Sequence, residues 1–192
     1  MMKGNNGFTL IELLAVIVII GILSVYSVPR VIGLFSRSRS KMYVSDALKF
    51  TSMVEQMVTS SKIDKPDNGS SIIVCLNYLD TSDLDSPPNQ GKYLDNSFVV
   101  VKNNNGVLEY SVMLVENMKN GGYKGIDLTK SDKLQDDKAI NLVKTFSESE
   151  IDKLNNCFNK DSNSDIIKYI NEKISISNYI DETSLLQIYN TN

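Results

Sequence analysis

Glu12 is the one charged side chain in an otherwise apolar run from Phe8 to Val28. If that run lies in a bilayer, an ionised carboxylate within it costs about 2.5 to 3.5 kcal/mol and calls for a cation. No basic residue stands between Leu13 and Pro29, and Lys3 lies before the run. An α-amino group made by cutting the chain just before Phe8 would fall four residues upstream of Glu12, on the same helical face, and would supply the charge. The chemistry these residues suggest is therefore ion pairing at a new chain end.

Other chemistries have less to stand on. The chain holds no His, so no Ser-His-Asp or Cys-His pair can form, and no glycine-rich phosphate loop occurs. No catalytic residue and no cofactor are expected. Asp161, Asn163, Asp165 and Glu172 reproduce the acidic ligand spacing of a calcium loop. The position that needs Gly is Ile166, so a polar linker leading into a capped helix is the favoured reading, and no metal is expected. Asp80, Asp83 and Asp85 read as a solvated loop. Cys75 and Cys157 could form a disulfide in an oxidising compartment, or could be two small buried thiols; the sequence leaves both open.

The element that must carry Glu12 is a helix. The 21 residues from Phe8 to Val28 would cover roughly 31 Å, enough for a bilayer core. Pro29 follows and predicts a kink near Val25 to Arg30. Helical patterning then resumes at Val44, Ala47, Leu48, Val54 and Met57, with Asp46, Lys49, Glu55 and Gln56 on a polar face. One helix to about Ser60 would reach roughly 80 Å, so something other than lipid must cover its second half.

The N-terminus resembles the type IV prepilin family, which includes the pseudopilins of type II secretion and of DNA-uptake machines. The resemblance rests on a short polar leader with Lys3, the Gly7-Phe8 junction, Thr9-Leu10-Ile11-Glu12, a Leu/Ile/Val run containing Gly21, and Pro29 beyond it. It covers about 30 of 192 residues. It implies that a prepilin peptidase cleaves between Gly7 and Phe8 and N-methylates Phe8. It further implies that Glu12 pairs with the Phe8 amine of a neighbouring subunit as subunits leave the membrane and stack into a filament, and that the helix can loosen near Pro29. The competing reading of the same run is a signal peptide or a plain single-span anchor, for which Val25-Tyr26-Ser27 offers a small-residue cleavage pattern.

The organisation expected is a leader at 1–7, a transmembrane and filament-core helix half at 8–28, an amphipathic half at 29–62 and a globular head at 63–192. The resemblance implies a single-pass precursor in the cytoplasmic membrane with an extracytoplasmic head, and a surface pilus once assembled. Partners would be the peptidase, other pilin subunits in a homo- or heteropolymer, the assembly platform, and the membrane before assembly. The functional expectation is a major or minor pilin serving adhesion, motility or aggregation. The alternative is a pseudopilin of a secretion or competence apparatus, and a third class is an anchored binding module that never polymerises.

Charge is distributed unevenly. Arg30, Arg37, Arg39 and Lys41 crowd the end of the apolar run, while residues 42–192 carry 15 basic and 22 acidic side chains, a net of −7. That balance argues against nucleic acid as a partner of the head as a whole. The basic cluster also runs against a simple positive-inside count, and in a filament it could instead meet acidic head surfaces.

The expected fold is α+β, with a long N-terminal helix packed on a small antiparallel sheet and peripheral helices. Helix termination is expected between Ser60 and Asn68. Ser71 to Leu79 is ambiguous; Ile72, Ile73, Leu76 and Leu79 form a helical stripe, and a short helix is the preferred reading. Asp80 to Gly91 reads as a loop. Phe98–Lys102 and Val107–Val115 flank Asn-Gly and read as a hairpin, with a third strand from Tyr123 to Leu128. The remainder reads as helical: Ser147 and Glu150 have capping-box spacing ahead of Ile151, Leu154 and Phe158, and Ile166, Ile167, Ile170 and Ile174 form another stripe. Ile180 to Tyr189 could be strand or helix.

Overall fold

In a computed structural model, residues 8–84, 86–159, 168, 170 and 186–189 are described. The fold is α+β: helix α1 (Leu10–Thr59), a sheet of short and medium strands, and helix α2 (Glu148–Asn159). The chain divides into two compact units, Met1–Ser38 and Arg39–Asn192, so the second half of α1 belongs with the head. The helix stops at Thr59, and Ser61 adopts a positive φ of 56° just beyond it.

The sheet runs in the order β6 (Val143–Phe146), β5 (Tyr123–Lys130), β4 (Val107–Asn117), β3 (Phe98–Asn104), β1 (Ser71–Cys75), β7 (Leu186–Tyr189), and β2 (Lys92–Tyr93) adds to β4. All pairings are antiparallel except β1 with β7. The predicted hairpin is present as β3 and β4. Asn104 pairs with Val107, which leaves a two-residue turn in which Asn105 and Gly106 take φ of 52° and 89°. Both angles lie where Asn and Gly are the tolerated residues.

The sheet is larger than the small meander expected. The segment read as a short helix is strand β1, followed by a single 3-10 turn at Leu76–Tyr78. Every residue of β1 is buried, because β3 and β7 flank it and both faces are covered. A strand in that setting is apolar on both sides, so it loses the alternation that identifies a strand. The part after β5, read as helical, also contains β6, and β7 falls in the stretch left open between strand and helix. Between β5 and β6, the stretch Asp137–Leu142 is a 3-10 helix. The loop expected at 80–91 holds one short 3-10 turn, Thr81–Asp83, and the strand expected to start at Tyr123 does so.

Two cores lie on opposite faces of the sheet. On one, Tyr43, Ala47, Phe50, Val54 and Val58 of α1 pack on Ile72, Val74, Val99, Val101, Val112 and Leu114. On the other, Ile151 and Leu154 of α2 pack on Ile73, Phe98, Val100, Met113 and Val115. Consecutive strand residues alternate between these clusters, as the two-residue repeat of a strand requires. α2 begins with the predicted capping box: the Ser147 N–H and hydroxyl donate to Glu150, and the Glu150 N–H donates back to Ser147 Oγ. Of the isoleucine stripe, Ile170 is helical and fully buried in the α2-side core; its other members lie outside the described residues.

Candidate functional site: the N-terminal stem

Glu12 stands in the first turn of α1 and belongs to a capping box of its own. The Thr9 N–H donates to Glu12 Oε2 at 2.9 Å and the Thr9 hydroxyl donates to the same oxygen at 2.7 Å. The Glu12 N–H returns a bond to Thr9 Oγ1 at 3.3 Å, and Leu13 N–H donates to the Thr9 carbonyl at 3.2 Å. Thr9 is thus the N-cap, and Glu12 satisfies a donor that would otherwise be orphaned at the helix start. This second role for Glu12 escaped the sequence reading. Thr9-Leu10-Ile11-Glu12 has the same spacing as Ser147 to Glu150, so the signal was there. Among the described residues, no cation pairs with Glu12.

The stem is bare. Phe8 is 84% exposed and Leu10 83%, and the large apolar residues from Ile11 through Ile32, Leu34 and Phe35 whose surfaces are described are all exposed. A contiguous apolar surface on this scale marks a membrane or protein interaction. Among the described residues no single helix is long and apolar enough to cross a membrane. Leu10–Val25 and Arg30–Thr59 pass that test only as a pair, bent at the break between them, where Pro29 lies. Inside the apolar stretch, the hydroxyls of Ser24 and Ser27 donate to the carbonyls of Ile20 and Leu23, so neither offers an unpaired polar group to an apolar surround.

Residues 2–27 match the family model described as the prokaryotic N-terminal methylation motif. The chain carries the hallmark of type IV pilin-like prepilins. No curated protein and no solved structure matches it. The prepilin motif implies processing by a prepilin peptidase, assembly with other pilin subunits, and a membrane-anchored precursor. Its family is structural rather than enzymatic.

The head contributes a polar cluster that the sequence did not reveal. Glu116 of β4 and Tyr43 of α1 are both completely buried. The Glu116 carboxylate accepts from the Tyr43 hydroxyl, from the Asn89 N–H at 3.1 Å, from Asn89 Nδ2 at 3.1 Å and from the Gly91 N–H at 2.9 Å. A buried carboxylate is tolerable when donors surround it in this way. Gly91 must be glycine, because a Cβ there would lie 1.9 Å from the Asn117 carbonyl oxygen. Tyr93 donates to the buried carboxylate of Asp46, and Arg39 donates to Asn89 Oδ1 at 3.3 Å. Burial, and then the bond to Glu116, push the Tyr43 hydroxyl well above its ordinary pKa. The cluster has the character of a stitch that ties α1 and the 87–91 loop to the sheet. Its members are far apart in the chain, and no periodicity announces them.

Cys75 is buried in β1, and as a thiol its pKa is pushed up to about 12 by burial. Cys157 falls within α2, but its side chain lies outside the described residues, so the suggested pairing is left as an expectation. The calcium-like positions Asp161, Asn163, Asp165 and Glu172 also lie outside them, as does Gly7. Among the described residues no group of three or more acidic, Cys or His side chains could hold a metal ion.

Proposed function

We propose that the protein is a structural subunit, a major or minor pilin, of a type IV pilus. The observation that carries the reading is the methylation motif heading a helix whose apolar surface is uncovered from Phe8 to Phe35. Such a surface needs lipid before assembly and neighbouring stems after it, because water is a poor solvent for either half of its life. In this reading the peptidase cuts after Gly7 and methylates Phe8. Glu12 then pairs with the Phe8 amine of a neighbour, setting the axial register, while the assembly platform draws the subunit out of the bilayer. Pro29 weakens the helix where the stem leaves the core. The head stays outside and faces solvent.

The test has two parts. Mass spectrometry of the mature chain should find an N-terminus at methylated Phe8, and immunogold labelling should decorate extended surface filaments. A different N-terminus overturns the reading. Correct processing with label confined to the cell envelope would favour the pseudopilin alternative.

A further inference from the structure

Arg30, Arg37 and Lys41 recur at i, i+7 and i+11. At about 100° per residue they fall within about 40° of one another around the helix, a single stripe. Arg39 falls on the other side of the helix, where it meets Asn89. All three stripe residues are exposed and make no hydrogen bond or ion pair with any described residue. Leu34, about 40° from Arg30 around the helix, shares this face and is 67% exposed, whereas Ile32 and Phe35 turn to the far side. That face of the segment therefore offers three uncompensated cations around one exposed leucine.

The head has a surface of the opposite kind. A groove of about 960 Å³ runs beside the last turns of α1, where half-buried Met53, Met57 and Tyr78 give it apolar walls. Glu55 and Asp80 stand at its edge as exposed acids, against one base, Lys62. Heads with a net charge of −7 repel one another on close approach, so a packed array of them needs cations from somewhere.

We propose that the groove beside Glu55 and Asp80 receives the Arg30–Lys41 segment of a second copy of this chain. The inference rests on the assembly reading above and adds to it a specific contact between stem and head. Leu34 covers the methionines, while Arg37 and Lys41 meet the acids. Paired in this way, the cations offset repulsion between neighbouring heads and make the contact selective for one stagger.

The experiment uses the full-length chain in cells. Reversing the stripe with Arg37→Glu and Lys41→Glu should leave peptidase processing unchanged and lower the amount recovered in sheared filaments about tenfold. Adding Glu55→Lys and Asp80→Lys to the same chain should restore it. Copies carrying Arg37→Cys and copies carrying Glu55→Cys, produced together and oxidised, should give a disulfide dimer that neither gives alone. Normal filaments from the reversed chain, or a loss the compensating pair does not restore, overturns the contact and leaves the assembly reading standing. Weaker retention in anionic membranes with unchanged filaments assigns the stripe to lipid headgroups and overturns it too. If the unsubstituted chain is never processed or never enters filaments, the assembly reading falls and takes this contact with it.

Discussion

At the scale of single residues, Glu12 has two separable duties. Its carboxylate caps the first turn through Thr9, and in the proposed function it also balances a neighbour's amine. Glu12→Gln separates them, because Gln can serve in a capping box but carries no charge. The expected outcome is normal cleavage and helix content with filament incorporation lowered to nearly the level of Glu12→Ala; quantitative immunoblots of sheared and membrane fractions provide the check. In the head, Glu116→Ala would strand the donors of Tyr43, Asn89 and Gly91 in a buried site. A loss of roughly 3 kcal/mol is expected, read as a lower urea midpoint, with Tyr43→Phe costing less because it removes a single donor.

Helix α2 adds a pH prediction at the scale of elements. Its first-turn acid, Glu150, has its pKa lowered from 4.5 to about 2, first by the Ser147 backbone N–H and then by Lys144. A carboxyl whose folded value is depressed contributes stability above its unfolded value and loses it as pH falls through the folded value. The head should therefore weaken as pH drops from about 4.5 toward 2, and Glu150→Gln should flatten that slope in denaturation curves taken across the range. Lys144 ties this cap to the sheet, since its ammonium also meets Asp127 at 2.7 Å and lies over the Phe146 ring.

What the sequence disclosed about these elements follows from how local each signal is. The caps, the Asn105-Gly106 turn and the amphipathic stretch of α1 are written within a few residues and were readable. β1 was not, because burial on both faces erased its alternation and left Ile72, Ile73, Leu76 and Leu79 mimicking a helix. β6 has only four residues, one of them the ion-paired Lys144, and too little apolar pattern to register. The Tyr43–Asn89–Glu116 stitch was invisible for a different reason: its logic lies in three-dimensional proximity across 73 positions of chain. Glu12 stands out as a lone charge in an apolar run, and that incongruity masks the capping role written in its spacing from Thr9.

For the whole molecule, the division at Ser38 and Arg39 separates a bare apolar stem from a head with two cores of its own. A chain starting at Arg39 should be soluble without detergent and unfold cooperatively, whereas the full chain should partition with membranes. Sedimentation and thermal melts of the two would decide it, and aggregation of the shorter chain would show that the head depends on residues before Arg39.

The parallel pairing of β7 with β1 has a consequence for biosynthesis. Ser71 meets Leu186, so two segments separated by more than a hundred residues must come together to complete one edge of the sheet. During synthesis, β1 is made with that flank unprotected and waits for nearly the entire remaining polypeptide. A ribosome stalled before Leu186 should therefore leave an aggregation-prone intermediate with β1 exposed along one side.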